Sequence, residues 1–303
     1  MPNAHSIVTE SPAGDAAHLH AALEASAGDV DALEAHAALE ALLARVRPTP
    51  DRPDFEAAST ICPPPASSPF AGPVALIVET RRHLNLPFVV RQVARRCDVP
   101  VQIMHGVSNE AFVRERLADL IAERRVLLTR LGANRLSGKI YNGLFLSERF
   151  WEAMQGRGKI FTFQTDSMLC QNSEKNLENF IEFDYIGSRR PPGQGCGLVF
   201  GGGNGGVSLR DWGRSVRALR RFEPRRWQAG EDDFFPLFLE ADGARVATAD
   251  DSDRFCGQRW FQPGCFALHK PNFRKARLAA SILFYEPGAW RLLGPIERRL
   301  ARS

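Results

Sequence analysis

The chain has 303 residues, of which 44% are hydrophobic and 24% are charged, and its formal net charge is +4. This composition is that of a folded globular protein, and it excludes a largely disordered or fibrous chain. So small a charge gives no strong argument for nucleic acid or a membrane surface as the partner. No run of about 18 apolar residues and no secretory signal is visible, so we expect a cytoplasmic protein without a transmembrane segment.

The first 72 residues differ in composition from the rest. From about Ala13 to Val46 the chain is rich in Ala, Leu and Glu, with apolar residues at roughly helical spacing, which predicts a helix or a helical pair. The stretch that follows is dense in Pro, Ser and Ala, as is typical of a linker. We therefore divide the chain into a helical, low-complexity extension with a linker (1–72) and a domain (73–303). The extension is either a self-association helix or a weakly ordered appendage.

From Pro73 onwards, apolar runs alternate with helical patterns. Val74 to Val78 are apolar and end in Glu79, and apolar residues from Leu86 to Cys97 then follow at helical spacing. Further strands are predicted at 100–104, 126–128 and 159–163, with helices between them. This alternation predicts the α/β class, with a mixed, mainly parallel sheet flanked by helices.

Polar residues directly after apolar runs are the first candidates for a site. Ligands of open α/β sheets bind at the carboxyl ends of the strands, because loop amides and helix N-termini meet there. Such residues occur in three places: Glu79-Thr80-Arg81, Thr129-Arg130 and Gln164-Thr165-Asp166-Ser167.

The segment KIFTFQTDSMLC places Asp166 directly after a hydrophobic strand. A carboxylate fixed at a strand end is a good ligand for Mg²⁺ or Mn²⁺, since such ions are held by one or two protein carboxylates plus phosphate oxygens of a substrate. The alternative is that Asp166 only caps the following turn.

A glycine-rich tract, CGLVFGGGNGGVSLR, contains the pattern G-x-G-x-x-G at Gly201, Gly203 and Gly206. A dinucleotide-binding turn with this pattern opens a helix in the first β-α unit, whereas these glycines come late and precede a strand-like triplet. We favour a loop in which Asn204, Gly205 and Gly206 let the backbone approach a sugar or diphosphate. The alternative is a glycine-rich surface hairpin.

The segment WQAGEDDFFPLF carries three consecutive acids, Glu231, Asp232 and Asp233, before a strongly apolar run. The helix dipole favours acids in a first turn, which is the structural explanation. A carboxylate held against the apolar side chains would have a raised pKa and would accept a proton from an attacking hydroxyl, which is the functional explanation.

Two further features have ordinary structural explanations. In GCFALHKPNF, His269 follows four apolar or small residues, and a single His in that setting is more often structural than a metal ligand. The arginine-rich stretch 214–227 suggests RNA binding, but its apolar residues recur at helical spacing and predict an amphipathic helix with solvated arginines.

Six segments occur in order between Val74 and Phe273: YNGLFLSERFW, FQTDS, FDYIGS, GNGGVSLR, GEDDFF and HKPNF. On these segments the sequence resembles an uncharacterised glycosyltransferase-like domain family of bacteria and fungi, and behind it the GT-A nucleotide-sugar transferases. The resemblance implies a GT-A-like, Rossmann-like fold and a glycosyltransferase that moves a sugar from a nucleoside diphosphate sugar to an acceptor hydroxyl. It also implies Mn²⁺ or Mg²⁺ as cofactor.

The resemblance implies a metal and nucleotide site. Asp166 resembles the surviving acid of the metal-binding D-x-D element, with Ser167 where a second acid is often found, and His269 resembles the histidine that completes metal binding. In this topology the nucleotide would be contacted by the end of the first strand and by the D-x-D turn, and its phosphates would pair with an arginine. The nucleotide-binding residues are therefore expected to be Glu79, Thr80, Arg81, Arg130, Asp166 and Ser167.

The resemblance also implies a sugar site and a base. Asn204, Gly205 and Gly206 resemble the loop at the boundary of donor and acceptor. Glu231 and Asp232 resemble the x-E-D element, so that Asp232 is the expected base and Glu231 the reserve.

The acceptor is an unknown hydroxyl of a glycan, lipid or protein. A non-catalytic nucleotide- or sugar-binding module of the same fold is the alternative function. It is indicated by Ser167 and by FCGQRWFQ, which lacks the acid that the family would place after Cys256.

Overall fold

The computed structural model describes residues 14–62, 72–191 and 193–293. Residues 1–13 of the predicted extension and residues 63–71 of the predicted linker lie outside this part of the chain. The α-helices in chain order are α1 (Asp15–Ala25), α2 (Leu33–Arg45), α3 (Leu86–Arg96), α4 (Glu110–Arg116), α5 (Ala118–Ala122), α6 (Gly138–Phe145), α7 (Glu148–Glu152), α8 (Trp212–Arg221), α9 (Glu231–Ala241), α10 (Ala249–Phe255) and α11 (Ala276–Tyr285). The strands in chain order are β1 (Ile61–Cys62), β2 (Val74–Glu79), β3 (Val101–His105), β4 (Val126–Leu131), β5 (Lys159–Thr162), β6 (Ser167–Leu169), β7 (Tyr185–Ser188), β8 (Asn204–Asp211), β9 (Cys256–Gly257) and β10 (Ala267–His269).

Within the described residues, seven strands form a central sheet in the order β1-β4-β3-β2-β5-β8-β7. The strands from β4 to β5 are parallel to one another, whereas β1 runs antiparallel to β4 and β8 runs antiparallel to β5 and β7. The predicted α/β class, with a mixed, mainly parallel sheet flanked by helices, is therefore confirmed. Every residue of β2 is buried, as expected of a parallel strand that is covered on both faces.

Helices cover both faces of the sheet. Side chains of β2 alternate between the two cores, with Val74 and Leu76 on one face and Ala75 and Ile77 on the other. The first core is completed by α1, α2 and α6 to α9, and the second by α3, α4, α5 and α10. The apolar positions of α3 recur at helical spacing, which is why one side of that helix faces the sheet.

The predicted helical pair near the N-terminus is present as α1 and α2, and α1 packs against α9. The chain between α2 and β1 is hydrogen-bonded to the remainder of the protein. The backbone N–H of Thr49 donates to the carbonyl of Gln228 at 3.0 Å, and the side-chain amide of Asn142 donates to the carbonyl of Asp51 at 2.6 Å. The division of the chain at residue 72 and the self-association of the extension stay predictions. None of the helices described here has the length and apolar character needed to cross a bilayer.

A smaller sheet, in the order β6-β10-β9, lies beside the central one. β6 and β10 are antiparallel, with Ser167 opposite His269. Its outer side packs on α11 and on the 3-10 helix Pro287–Leu292 through Met168, Leu268 and Ile282. This sheet places the turn that contains Asp166 next to the end of β10.

Candidate functional site

A cleft of about 670 Å³ opens at the carboxyl ends of β2 and β5. This is the edge of the sheet at which ligands of α/β proteins bind. Most of the site residues predicted from the sequence line it: Glu79, Arg81, Asp166, Asn204, Gly206, Glu231, Asp232 and His269.

Four predicted residues do not line the cleft. Thr80 is buried directly after β2, and Arg130 lies on β4 beside the edge strand β1, where its guanidinium is 3.8 Å from the sulfur of Cys62. Ser167 binds the backbone of the preceding turn through its hydroxyl, and Gly205 packs behind the cleft wall. The structure thus brings the carboxylates and His269 together but leaves Arg130 apart from them.

Asp166 and His269 are neighbours. His269 Nε2 lies 3.6 Å from Asp166 Oδ1 and 3.2 Å from Gln164 Oε1. Asp166 Oδ1 and His269 Nδ1 are both buried atoms without a hydrogen-bond partner. Burial lowers the pKa of His269, which favours the neutral imidazole that ligates metals. Buried polar atoms without hydrogen-bond partners are costly, so Asp166 Oδ1 and His269 Nδ1 each have unused capacity for a ligand, whereas Nε2 is the ring nitrogen that faces Asp166 and Gln164.

The pair fits a divalent cation that is shared with a substrate. Magnesium-type sites use one or two protein carboxylates, and phosphate oxygens complete the coordination. Among the described residues, no group of three or more His, Cys, Asp and Glu side chains could hold a metal ion alone. A cation at Asp166 and His269 would therefore depend on oxygens supplied by another molecule.

Gly205 and Gly206, two residues of the predicted sugar site, leave space that neighbouring protein side chains occupy. A β-carbon at Gly206 would overlap the imidazole of His269, and one at Gly205 would lie 2.7 Å from Glu231 Oε1. Asn204, Gly205 and Gly206 were expected in a loop, but they are the first three residues of β8, where Asn204 Oδ1 accepts from the N–H of Gly206 at 3.0 Å. The absence of side chains at both glycines thus sets the position of His269 and of the first turn of α9.

Glu231 is bound to a buried arginine. Arg210 is fully buried, and its guanidinium meets both carboxylate oxygens of Glu231, at 2.5 and 3.2 Å. It also lies 4.8 to 5.2 Å from the ring centres of Phe145, Tyr185 and Phe235. Burial raises the pKa of Glu231. Burial acts to lower the pKa of Arg210, but the charge and hydrogen bonds of Glu231, together with the nearby tyrosines, outweigh it and raise the pKa. Glu231 therefore anchors the start of α9.

Asp232 is the acid of α9 that is available to a ligand. Its side chain is 22% exposed, whereas Glu231 and Asp233 are buried. Asp232 Oδ2 accepts from Asn204 Nδ2 at 2.8 Å and from Arg190 at 2.5 Å. Arg190 also binds Asp233, so one guanidinium spans both carboxylates. Both bonds to the Asp232 side chain go to Oδ2, and neither Asn204 nor Arg190 donates to Oδ1 of Asp232.

Glu79 and Arg81 form a fork at the end of β2. The nearly buried carboxylate of Glu79 accepts from Arg81 Nε at 2.8 Å and from its terminal nitrogen at 2.7 Å. Burial acts to raise the pKa of Glu79, but the bonds from Arg81 outweigh it and lower the pKa. Arg81 remains largely exposed, so its charge faces the cleft.

Several cleft residues were not predicted from the sequence. Arg190 is the second residue after β7 and Lys270 is the first after β10, so the strand-end rule would have found them had β7 and β10 been predicted. Further unpredicted residues of the cleft are supplied by the segment before β1, by α6 and by a loop, among them Thr49, Asp51, Tyr141, Asn142 and Gln258.

Comparison with known proteins gives a family model and a distant fold neighbour. Residues 129–271 match the model of a family described as "Protein of unknown function (DUF5672)". No curated protein matches the chain. Among solved structures, the bifunctional glycosyltransferase WbbM in its apo form is similar over 64% of this chain, with 8% identity and a TM-score of 0.41. The chain spans 40% of that protein.

Proposed function

We propose that the chain is a metal-dependent glycosyltransferase that moves a sugar from a nucleoside diphosphate sugar to an acceptor hydroxyl. The observation that carries this proposal is the proximity of Asp166 and His269 in the cleft: Asp166 Oδ1 lies 3.6 Å from His269 Nε2, and Asp166 Oδ1 and His269 Nδ1 are buried without hydrogen-bond partners. The six ordered segments that resemble glycosyltransferase-like domains support it from the sequence.

The leaving diphosphate needs its charge neutralised. Mn²⁺ or Mg²⁺ held by Asp166 and His269 would supply that charge and orient the phosphates. Arg81 and Lys270 add positive side chains to the same cleft and would bind the outer phosphate oxygens.

The acceptor hydroxyl needs a base. Asp232 fills this role because it is the partly exposed acid at the start of α9. Arg190 and Asn204 bind one oxygen of Asp232 and so orient the other. Glu231 has only a positioning role, because Arg210 donates hydrogen bonds to both of its carboxylate oxygens.

Release of nucleoside diphosphate tests the proposal. The full chain is incubated with UDP-, GDP- and CDP-sugars and Mn²⁺, and we expect slow donor hydrolysis with at least one of them. Asp232→Asn and Asp166→Asn should each abolish this release. Asp250→Asn, an exposed acid on α10 outside the cleft, is the matched control and should leave it unchanged.

Two outcomes would contradict the proposal. Metal-dependent nucleotide binding without hydrolysis of any donor would favour the non-catalytic binding module. Hydrolysis that persists in Asp232→Asn would show that Asp232 is not the base.

A further inference from the structure

The C-terminal element, residues 270–293, carries three large aromatic side chains that are partly or largely exposed. Ile282 alone is fully buried among the residues of α11. Phe284 is 77% exposed, Trp290 48% and Tyr285 43%. Exposed apolar side chains that lie close together mark interaction sites on soluble proteins. We call these three rings, with the charged residues around them, the C-terminal aromatic surface.

The charges on this element have one sign. Glu286 is the only acid between residues 270 and 293, and it is buried with its two oxygens bound to the backbone N–H groups of Gln171 and Asn172, at 2.6 and 3.1 Å. The exposed charges of the element are therefore all basic. They belong to Lys270, Arg274, Lys275, Arg277 and Arg291.

Aromatic rings among basic side chains fit one kind of partner. At a bilayer surface, the rings enter the level of the lipid headgroups, and lysine and arginine attract anionic lipids. The sequence beyond the described residues continues the same balance, with Arg298, Arg299 and Arg302 against Glu297. The formal net charge of the whole chain, only +4, does not reveal this local concentration of basic residues.

We propose that the C-terminal aromatic surface docks the protein on an anionic lipid bilayer. Docking of this kind lies in the plane of the membrane surface and needs no spanning helix. Leu84, which is 83% exposed, would add to the contact, because the neighbouring Asn85 donates to the carbonyl of Arg291 at 3.3 Å.

The docking surface adjoins the cleft. α11 packs on the β6-β10 sheet, which also positions Asp166 and His269, and Lys270 lines the cleft. An acceptor carried by a lipid would thus be presented beside the metal site. This last step rests on the proposed transferase activity, whereas the docking itself does not.

Co-sedimentation of the full chain with vesicles tests the docking. We expect binding to phosphatidylcholine vesicles that contain phosphatidylglycerol, and none to phosphatidylcholine alone. Phe284→Ser should weaken binding on the order of tenfold, since a buried phenyl group is lost. Arg277→Gln should weaken it about fivefold, as expected for one basic residue near an anionic surface. Both side chains are exposed, so both variants should fold normally.

The matched controls are exposed residues of α2 and α8, two helices that pack in the first core of the central sheet. Leu33→Ser removes an exposed apolar side chain on α2, and Arg220→Gln removes an exposed charge on α8. Both should bind vesicles as the unmodified chain does.

Three results would overturn the docking proposal: no binding to anionic vesicles, equal binding to neutral vesicles, or unchanged binding of Phe284→Ser and Arg277→Gln. Light scattering that shows a dimer which Phe284→Ser dissociates would assign the surface to a second copy and would also overturn it. Nucleotide binding measured in the same variants separates this failure from a failure of the proposed transferase.

Discussion

At the scale of single residues, the position of His269 depends on a residue that has no side chain. The imidazole lies against the α-carbon of Gly206, so the ring occupies the space that a β-carbon would need. The sequence analysis assigned Gly206 to a loop that approaches a ligand. The structure instead places Gly206 in β8, where the absence of a side chain leaves room for the imidazole of His269.

Gly206→Ala should displace the ring of His269. We expect loss of metal-dependent nucleotide binding, with a decrease in the free energy of unfolding of about 1–3 kcal/mol from overpacking. Gly213→Ala in α8 is the control, because the nearest atom to its new methyl group is 3.5 Å away. That variant should gain roughly 0.5–1 kcal/mol and bind nucleotide normally. Calorimetric titration and urea denaturation measure the two effects, and normal binding by Gly206→Ala would refute the packing argument.

Glu79 should contribute a pH-dependent part of the stability. Its pKa in the folded protein is lowered from the usual 4.5, because bonds from Arg81 outweigh burial. The stabilisation is therefore present above the unfolded pKa and is lost as the pH falls through the folded pKa. The free energy of unfolding should fall more steeply on acidification in the unmodified protein than in Glu79→Gln.

Urea denaturation at a series of pH values below neutrality makes this comparison. Glu34→Gln, at an exposed position of α2, is the control and should follow the unmodified protein. If the free energy of unfolding of Glu79→Gln changed with pH as it does in the unmodified protein and in Glu34→Gln, the ion pair of Glu79 and Arg81 would not contribute to the pH dependence of stability.

At the scale of elements, the start of α9 shows how three consecutive acids take different roles. Glu231 binds Arg210 of β8, Asp233 binds Arg190, and Asp232 is left partly exposed. The sequence predicted an acidic first turn and named Asp232 as the base. It could not predict which acid binds which arginine, because both arginines lie far from the acids along the chain.

The buried pair of Arg210 and Glu231 predicts a strong asymmetry between single and double substitutions. Arg210→Met should cost about 3–5 kcal/mol, since it leaves the carboxylate of Glu231 buried and unpaired. Adding Glu231→Met should recover most of this loss. Urea denaturation measures both changes.

The control for this cycle is Arg220→Met, which breaks the exposed pair with Glu148 at 2.6 Å. An exposed ion pair contributes about 1 kcal/mol or less. Equal losses for Arg210→Met and Arg220→Met would contradict the role given to the buried pair.

Long buried strands were predictable, and short ones were not. The apolar runs that form β2, β3, β4 and β5 end in polar residues, so both the strands and the sheet edge could be found. The glycine-rich tract leads into β8, but the strand begins at Asn204, three residues earlier than the predicted triplet, and the helix follows at Trp212. Strands such as β9 and β10 have two or three residues, which is too few to show a period. The single helical segment expected between β3 and β4 is divided into α4 and α5 at Leu117.

At the scale of the whole molecule, the cleft collects residues from Thr49 to Lys270. The strand-end rule predicted the part that comes from the parallel strands. It could not predict Asp51, because the proline-rich composition around this residue indicated a linker. Asp51 reaches the cleft wall because α6 binds its backbone through Asn142.

The central claim is that Asp166 and His269 hold a divalent cation together with a diphosphate. Calorimetric titration of UDP, GDP and CDP into the full chain, with Mn²⁺ and then with EDTA in its place, tests it most directly. We predict binding of at least one nucleotide that requires Mn²⁺ and is lost in both Asp166→Asn and His269→Ala. Absence of metal-dependent heat for all three nucleotides, or binding by Asp166→Asn equal to that of the unmodified chain, would contradict the claim.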